Sequence, residues 1–493
     1  MSDMVDHPEA NSASTRVPVV AGAALGALLL STSRGYGPFR DELYFIAAGR
    51  HLAWAYPDVP FITPLIARAT GLVAGDSLIA LRVWPAACMV AIVFLCAHMA
   101  TLLGGGRLAR AFSAAGVASA PIVMIFGHVF HYAAFDMLAW SAAICMFLQI
   151  LVRGNERWWL PLGVVVGVAY ENKNLVGLLV LSLGVAVVLV GPRSTLRSKW
   201  LIGGAVVGFL LALPNVLWQL NNGRPELALA RSIRDSTSLL DRALILPFQF
   251  ALIGLPIAAL FVAGVRYAWH DARLRSLVIG YAILLGIIVA TGGKHYYAAG
   301  MLPFFVVSGA FAIEDRLNVE RGRRRRLTAA IAVNAVISAF IALPLVPVGS
   351  IASTPVGDFY PDVYESVGWP SFVSTVTRTW SALSPEERMT ATILTENYGE
   401  AAAIDRSHTP LPQASSAHNA YWYWGPPKTT GGTVLVVGYQ RAYLSQFFGD
   451  VTLAATINNE YGIENQEQGV RVWYCRGLLK PWKAIWPKLR HID

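Results

Sequence analysis

The chain has 493 residues, 55% of them hydrophobic and only 14% charged, with a formal net charge of +9 and a mean hydropathy of +0.49. Soluble domains carry about 25% charged residues, so this balance excludes one large soluble globule. It also excludes a disordered chain, which needs low hydrophobicity and high charge, and leaves a polytopic membrane protein with apolar runs recurring along its length.

Residues 1–16 are polar and read as a disordered tail, and 17–30 form the first apolar run. A secretory signal is the competing reading. It needs a basic start and a small-residue cleavage site, whereas here Asp3, Asp6 and Glu9 outweigh Arg16 and no A-x-A site follows. The run is therefore read as an uncleaved span. Further apolar runs fall near 78–102, 109–126, 135–152, 158–171, 174–191, 200–219, 244–266, 276–291, 297–313 and 328–348. Together they imply about eleven transmembrane helices at ~20 residues each. The cysteines (Cys88, Cys96, Cys145 and Cys475) show neither a disulfide framework nor zinc spacing.

Every second loop is basic. Arg107 and Arg110 are followed by Arg153 and Arg157, then Arg193, Arg197 and Lys199, then Arg266, Arg273 and Arg275, and finally Arg316, Arg321 and Arg323 to Arg326. Lys and Arg accumulate in cytoplasmic loops, so the N-terminus is expected inside and the C-terminus outside. The arginine run precedes a span directly, which reads as a topology anchor rather than a nucleic-acid site. The opposite loops hold the polar residues of interest. The long first outer loop, 31–77, contains Asp41 and Glu42; shorter ones contain His128, His131 and Asp136, then Glu171 to Asn174, then 221–241, then Gly293 to Tyr297.

Beyond 348 the hydropathy falls, and 349–493 reads as a small α/β domain. Ser384-Pro385-Glu386-Glu387 has the cap, first-turn proline and third-position acid of a helix start. Residues 390–395, 433–437, 451–457 and 470–474 are β-branched runs bounded by turn residues, and 397–406 between the first two looks helical, so a partly parallel sheet is expected. No G-x-G-x-x-G or P-loop supports nucleotide binding.

Charged groups near hydrocarbon are costly, which makes them candidates for function. Asp41 and Glu42 follow the first span, Asp136 stands at the edge of another, and Lys173 and Lys294 lie at outer span ends where cations are less expected. The bland readings are a helix cap for the acids and snorkelling for the lysines. Carboxylates and lysines on one face of the membrane suit transfer from a lipid phosphate: a base activates the nucleophile and cations hold the departing phosphate. His128 and His131 would add ligands for a divalent metal ion, although no tight ligand motif is present.

The motifs, taken in order, resemble bacterial members of the protein O-mannosyltransferase and lipid A aminoarabinose transferase superfamily, integral-membrane glycosyltransferases of GT-C type. They are R-D-E-L-Y-F at 40–45, H-L-A-W-A-Y-P-D-V-P-F-I-T-P at 51–64, L-R-V-W-P at 81–85, F-D at 135–136, E-N-K at 171–173, L-P-N-V-L-W-Q at 213–219, N-G-R-P-E at 222–226 and G-K-H-Y-Y at 293–297. In the tail, N-Y-G-E-A-A-A-I-D-R at 397–406 and A-H-N-A-Y-W-Y-W-G-P-P at 417–427 resemble the periplasmic domain of one bacterial branch. The resemblance implies a fold of about eleven transmembrane helices over 17–348, with a C-terminal extracytoplasmic α/β domain over 349–493. It implies a polyprenyl-phosphate sugar donor, a glycan, lipid or protein acceptor, a bacterial cytoplasmic membrane and no nucleic acid. It gives Asp41, with Glu42 beside it, the base or acceptor-organising role, and matches Asp136 to the second-loop acid. Lys173, Lys294 and Tyr297 become the donor-phosphate site. His128, His131, His418, Asn419 and Trp422 become the acceptor or entrance group, with the His128 to Tyr132 stretch departing from the usual small and hydroxyl residues. The rival readings are a flippase for the same lipids, which would place polar residues near the bilayer midplane, and a non-catalytic assembly partner.

Overall fold

The computed structural model describes residues 8–428 and 431–492, most of them helical. The first helix, α1 (Pro8–Ser31), begins inside the polar stretch expected to be disordered, whose residues 1–7 lie outside the described residues. Then follow α2 (Arg40–Arg50), α3 (Ile62–Ala74), α4 (Leu78–Leu102), α5 (Arg107–Ala118), α6 (Pro121–His128), α7 (Tyr132–Arg153), α8 (Trp159–Tyr170), α9 (Leu175–Val190), α10 (Lys199–Asn221), α11 (Pro225–Ser236), α12 (Leu239–Ile253), α13 (Ala258–His270), α14 (Arg275–Thr291), α15 (Leu302–Ala312), α16 (Glu314–Val319) and α17 (Arg321–Ala342). Among the described residues, four helices are long and apolar enough to cross a membrane: α4, α7, α10 and α17. Three further pairs reach that length only together and are bent, α5 with α6 by 57° and α11 with α12 by 97° among them. Each of the eleven apolar runs contains helix; by length and composition alone, four of the described helices cross a membrane, or up to seven if each bent pair is one span.

The breaks have named causes. Pro121 opens α6, and a proline cannot continue a helix by donating a backbone bond. The run near 244–266 stops at Gly254, whose φ of +98° suits glycine. Each break frees a carbonyl inside an apolar unit, where no water replaces the lost bond. Asn334 of α17 serves both: its Nδ2 donates to the Ser119 and Ile253 carbonyls, each at 3.0 Å, while the Ser338 hydroxyl donates to Ser119 O at 2.7 Å. A Cβ on Gly254 would sit 1.8 Å from Asn334 Oδ1.

The chain divides into two compact units. The first comprises the N-terminal helix up to Ser33, Arg82–Leu217 and Ile233–Leu345. It is a helical bundle in which glycines let backbones touch. A Cβ on Gly163 of α8 would lie 2.0 Å from the Gly204 carbonyl of α10, and one on Gly264 of α13 would lie 1.8 Å from the Phe305 carbonyl of α15.

The second unit comprises Arg34–Leu81, Trp218–Ser232 and Val346–Asp493. Its sheet holds β1 (Thr392–Thr395), β2 (Ala414–Ser416), β3 (Val434–Val437), β4 (Phe448–Thr456) and β5 (Arg471–Leu478) in the order β2-β1-β3-β5-β4. The strands β2, β1 and β3 run parallel, while β5 and β4 pair antiparallel. The partly parallel sheet expected from the sequence is present, and so are the two helix starts. Ser384 Oγ accepts from Glu387 N at 3.1 Å, and Asn397 Oδ1 from Glu400 N at 2.9 Å. The strand β2 gave no signal, because Ala-Ser-Ser offers neither apolar alternation nor a β-branched run.

Candidate functional site

In the first unit the candidate residues gather around the start of α7. Tyr132, Asp136 and Trp140 follow at intervals of four, which places them along one face of the helix. Trp140 Nε1 donates to Asp136 Oδ1 at 3.1 Å, and both residues are buried. Gly300 lets Trp140 pack closely, since a Cβ there would lie 2.6 Å from the Trp140 Cβ and 2.8 Å from its indole. The ammonium of Lys173 lies 4.4 Å from the centroid of the Tyr132 ring, a cation–π contact. Lys173 is also within electrostatic reach of Asp136. One small cleft is lined by Tyr132, Asp136, Leu175, Tyr296 and Tyr297.

The loop carrying Lys173 is anchored by its neighbours. Asn172 Nδ2 donates to the Tyr132 carbonyl at 3.0 Å. The buried Glu171 accepts from Asn215 N at 3.1 Å, and Asn215 Nδ2 donates to Asn174 Oδ1 at 2.7 Å. The E-N-K and L-P-N motifs thus form one hydrogen-bonded unit, in which Glu171 and Asn215 hold the backbone that aims Lys173. The G-K-H-Y-Y loop is held by Gln249, whose Nε2 donates to His295 O at 2.8 Å. Within it Tyr297 N donates to Lys294 O at 3.1 Å, and the exposed Lys294 lies within electrostatic reach of the Tyr297 phenol.

His128 and His131 also belong to this unit. His128 is buried at the end of α6 with Nε2 3.3 Å from Arg82 Nη1. His131 caps α7, its Nδ1 accepting from Ala133 N at 3.2 Å. Among the described residues no group of three or more His, Cys, Asp or Glu side chains is placed to hold a metal ion. The donor set therefore does not fit the divalent-metal role, and no step below passes through a metal.

In the second unit Asp41 is gripped by the tail. The Tyr398 hydroxyl donates to Asp41 Oδ1 at 2.8 Å, and Arg40 Nε lies 3.7 Å from the same oxygen. Arg40 also faces Glu365 at 3.9 Å, bonds to Gln466 and stands over the Tyr398 ring at 5.5 Å. Burial works against the Arg40 charge, but Tyr398, Asp41, Glu365 and Glu467 outweigh it and raise its pKa. Tyr44 packs on Tyr398 with ring centroids 4.6 Å apart and donates to Asp58 Oδ1 at 2.6 Å. The R-D-E-L-Y motif and the N-Y-G-E motif are thus two halves of one cluster.

Glu42 is fully buried, and its carboxylate accepts from Phe39 N at 2.7 Å, closing the start of α2. This is the capping role, separate from the cluster around Asp41. His418 and Asn419 are buried, the His418 ring stacked 4.3 Å from His491 and 4.7 Å from Tyr398. Trp422 is half-buried, donates to Trp486 O at 3.2 Å and carries Arg490 over its ring at 4.3 Å. The structure therefore collects Asp136, Lys173, Lys294, Tyr297, His128 and His131 in one unit, and Asp41, Glu42, His418, Asn419 and Trp422 in the other.

Comparison with known proteins starts from a family described as dolichyl-phosphate-mannose-protein mannosyltransferase, whose model matches residues 58–218. That stretch contains Asp136, Lys173 and Asn215. ArnT from Cupriavidus metallidurans superposes with TM-scores of 0.62 in the apo state, at 15% identity, and 0.61 bound to undecaprenyl phosphate, at 14%; each match covers 92% of this chain and 97% of that one. The chain has the GT-C fold. The arabinofuranosyltransferase AftD from Mycobacteria shares this GT-C architecture at a TM-score of 0.50 and 15% identity, covering 95% of this chain and 40% of that one. The Archaeoglobus fulgidus oligosaccharyltransferase does so at 0.50 and 13%, covering 81% and 64%. No curated protein matches the GT-C chain described here. The fold and the apolar helices make it a multi-pass membrane protein.

Proposed function

We propose that this protein is a glycosyltransferase that moves a sugar from a polyprenyl-phosphate donor to an acceptor hydroxyl, with inversion, at the outer face of a bacterial cytoplasmic membrane. The observation that carries this reading is the cleft of the first unit, lined by Tyr132, the buried Asp136 and Tyr297, with the Lys173 ammonium against the Tyr132 ring, within a GT-C fold. The undecaprenyl phosphate bound by ArnT supports the donor class, and the alternation of basic loops supports the orientation.

The acceptor oxygen attacks the anomeric carbon as the bond from that carbon to the phosphate oxygen breaks. The hydroxyl proton goes to Asp41, and the electron pair leaves with the lipid phosphate. Lys173 and Lys294 stabilise that phosphate as compact cations, and Tyr297 donates to it. Asp136, held by Trp140, orients the reacting groups and fixes Lys173 by charge. His128, His131, His418, Asn419 and Trp422 shape the acceptor side.

The test uses the purified full-length chain in proteoliposomes with radiolabelled polyprenyl-phosphate sugars and extracted envelope acceptors. Label is expected in a new product, with loss of about 100-fold or more in rate for Asp41→Asn and a raised donor KM for Lys294→Ala. Label that changes leaflet without entering a product would replace this reading with the flippase. Full activity in Asp41→Asn would remove the assigned base.

A further inference from the structure

A second binding feature of the first unit lies at the opposite ends of the same helices. The sides of α7, α8, α9 and α10 enclose a groove of about 1,030 Å³, solvent-open volume included, whose lining is almost wholly apolar. Phe147, Trp159, Leu183, Val187 and Phe209 are among the lining residues. The glycine contact of α8 with α10 leaves the groove deep: Gly184 on α9 lines it, and a Cβ added there meets nothing within 4 Å.

Its position along the helices is set by the sequence. Trp159 opens α8, Leu201 is near the start of α10, Val187 is near the end of α9, and Leu196 stands in the loop between the last two. This is the end bearing Arg153, Arg157, Arg193, Arg197 and Lys199, all exposed. Lys173 and Asp136 lie at the other ends of α9 and α7. Arg157 and Lys199 converge on the Trp200 ring, at 6.0 and 5.7 Å from its centroid. An apolar groove of chain-like capacity beside a cationic rim describes an amphiphile with an anionic head.

We propose that this groove binds an anionic glycerophospholipid. One acyl chain fills the space between α7, α8, α9 and α10, and the phosphate head rests among Arg157, Arg197 and Lys199. A rim of this kind distinguishes headgroups by charge, whereas the apolar lining alone takes any chain.

The test is native mass spectrometry of the purified full-length chain released from nanodiscs containing equal phosphatidylglycerol and phosphatidylcholine. One phosphatidylglycerol is expected to stay bound to the wild type. The triple variant Arg157→Gln, Arg197→Gln and Lys199→Gln is expected to lose its preference for that lipid by roughly 10- to 100-fold. Gly184→Leu fills the groove and is expected to lose the retained lipid of either kind, with its thermal unfolding unchanged. Equal retention of both lipids by the wild type, or retained selectivity in the triple variant, would overturn the proposal. So would displacement of the bound lipid by stoichiometric polyprenyl phosphate, which would assign the groove to the donor. None of these readouts depends on sugar transfer, so the lipid site and the catalytic reading fail separately.

Discussion

At the scale of single residues, the two candidate carboxylates differ in how they are held. Asp136 has its hydrogen-bond partner Trp140 one turn away on its own helix, a pairing that hydropathy, which marks only the edge of an apolar run, does not single out. Asp41 takes its hydrogen bond from Tyr398, 357 positions along the chain, and no spacing rule links them. Tyr398→Phe removes that bond and keeps the ring packed on Tyr44. Transfer is expected to slow about tenfold, with stability lowered by about 1 kcal/mol; kcat and thermal unfolding measured together check it, and an unchanged rate would make the bond purely structural. Glu400 offers a pH test in the same unit. Burial, and after it the neighbouring Glu467 and Glu396, raise its carboxyl to about 8 against the opposing bond from Asn397. A carboxyl near 4.5 when unfolded and near 8 when folded binds more protons folded. Its contribution to stability is therefore complete below pH 4.5 and falls as the pH rises towards 8. Loss on the order of 4–5 kcal/mol across that window is expected, and Glu400→Gln should flatten the profile in a pH series of thermal melts.

At the scale of elements, hydropathy located every apolar run but not the places where two of them break. An apolar window is insensitive to one glycine or one proline. Pro121 opens α6 in the middle of the run near 109–126, and the apolar residues on both sides of it mask the break. Gly254 has meaning only through Asn334, which lies 81 residues beyond Ile253 and satisfies the Ile253 carbonyl. A buried asparagine in a span reads from sequence as a polar residue without a task; here it closes two broken helices. Asn334→Leu leaves the Ile253 carbonyl unanswered and the Ser119 carbonyl with Ser338 alone. It is expected to cost about 2–4 kcal/mol, with both carbonyl bonds of Asn334 lost and a misfit side chain. Gly254→Ala meets both a positive φ and the Asn334 side chain, and should be at least as damaging. Unfolding in a denaturing detergent series would measure both, and wild-type stability in either variant would show that the breaks are satisfied elsewhere. In the tail the opposite held: capping boxes and β-branched runs placed four of the five strands and both helix starts, because those signals are local.

At the scale of the whole molecule, the mostly helical, multi-pass character was legible from composition and the apolar runs, while the membership of the second compact unit was not. Composition divides the chain where hydropathy falls, near 349. The contacts that define the unit include 34–81 and 218–232 as well. The reason is electrostatic as much as apolar. Glu365 and Glu467 are tail acids whose burial raises both carboxyls, and the cation that faces them, Arg40, comes from the first loop. Tyr44 and Phe45 of the same helix are buried with it. A fragment of 346–493 therefore carries the acids without their cation and Tyr398 without its stacking partner. An unpaired buried charge costs several kcal/mol, comparable to the whole stability of a small domain at about 5–15 kcal/mol. The fragment is expected to melt broadly and to bind a hydrophobic dye, while the full chain in detergent gives a cooperative transition. Adding residues 34–81 to the fragment through a flexible linker should restore a sharp transition, and the same fusion carrying Arg40→Leu should restore it only in part. A dispersed amide spectrum and cooperative melting from 346–493 alone would show that the tail folds without the first loop and that the Arg40 cluster is dispensable for its stability.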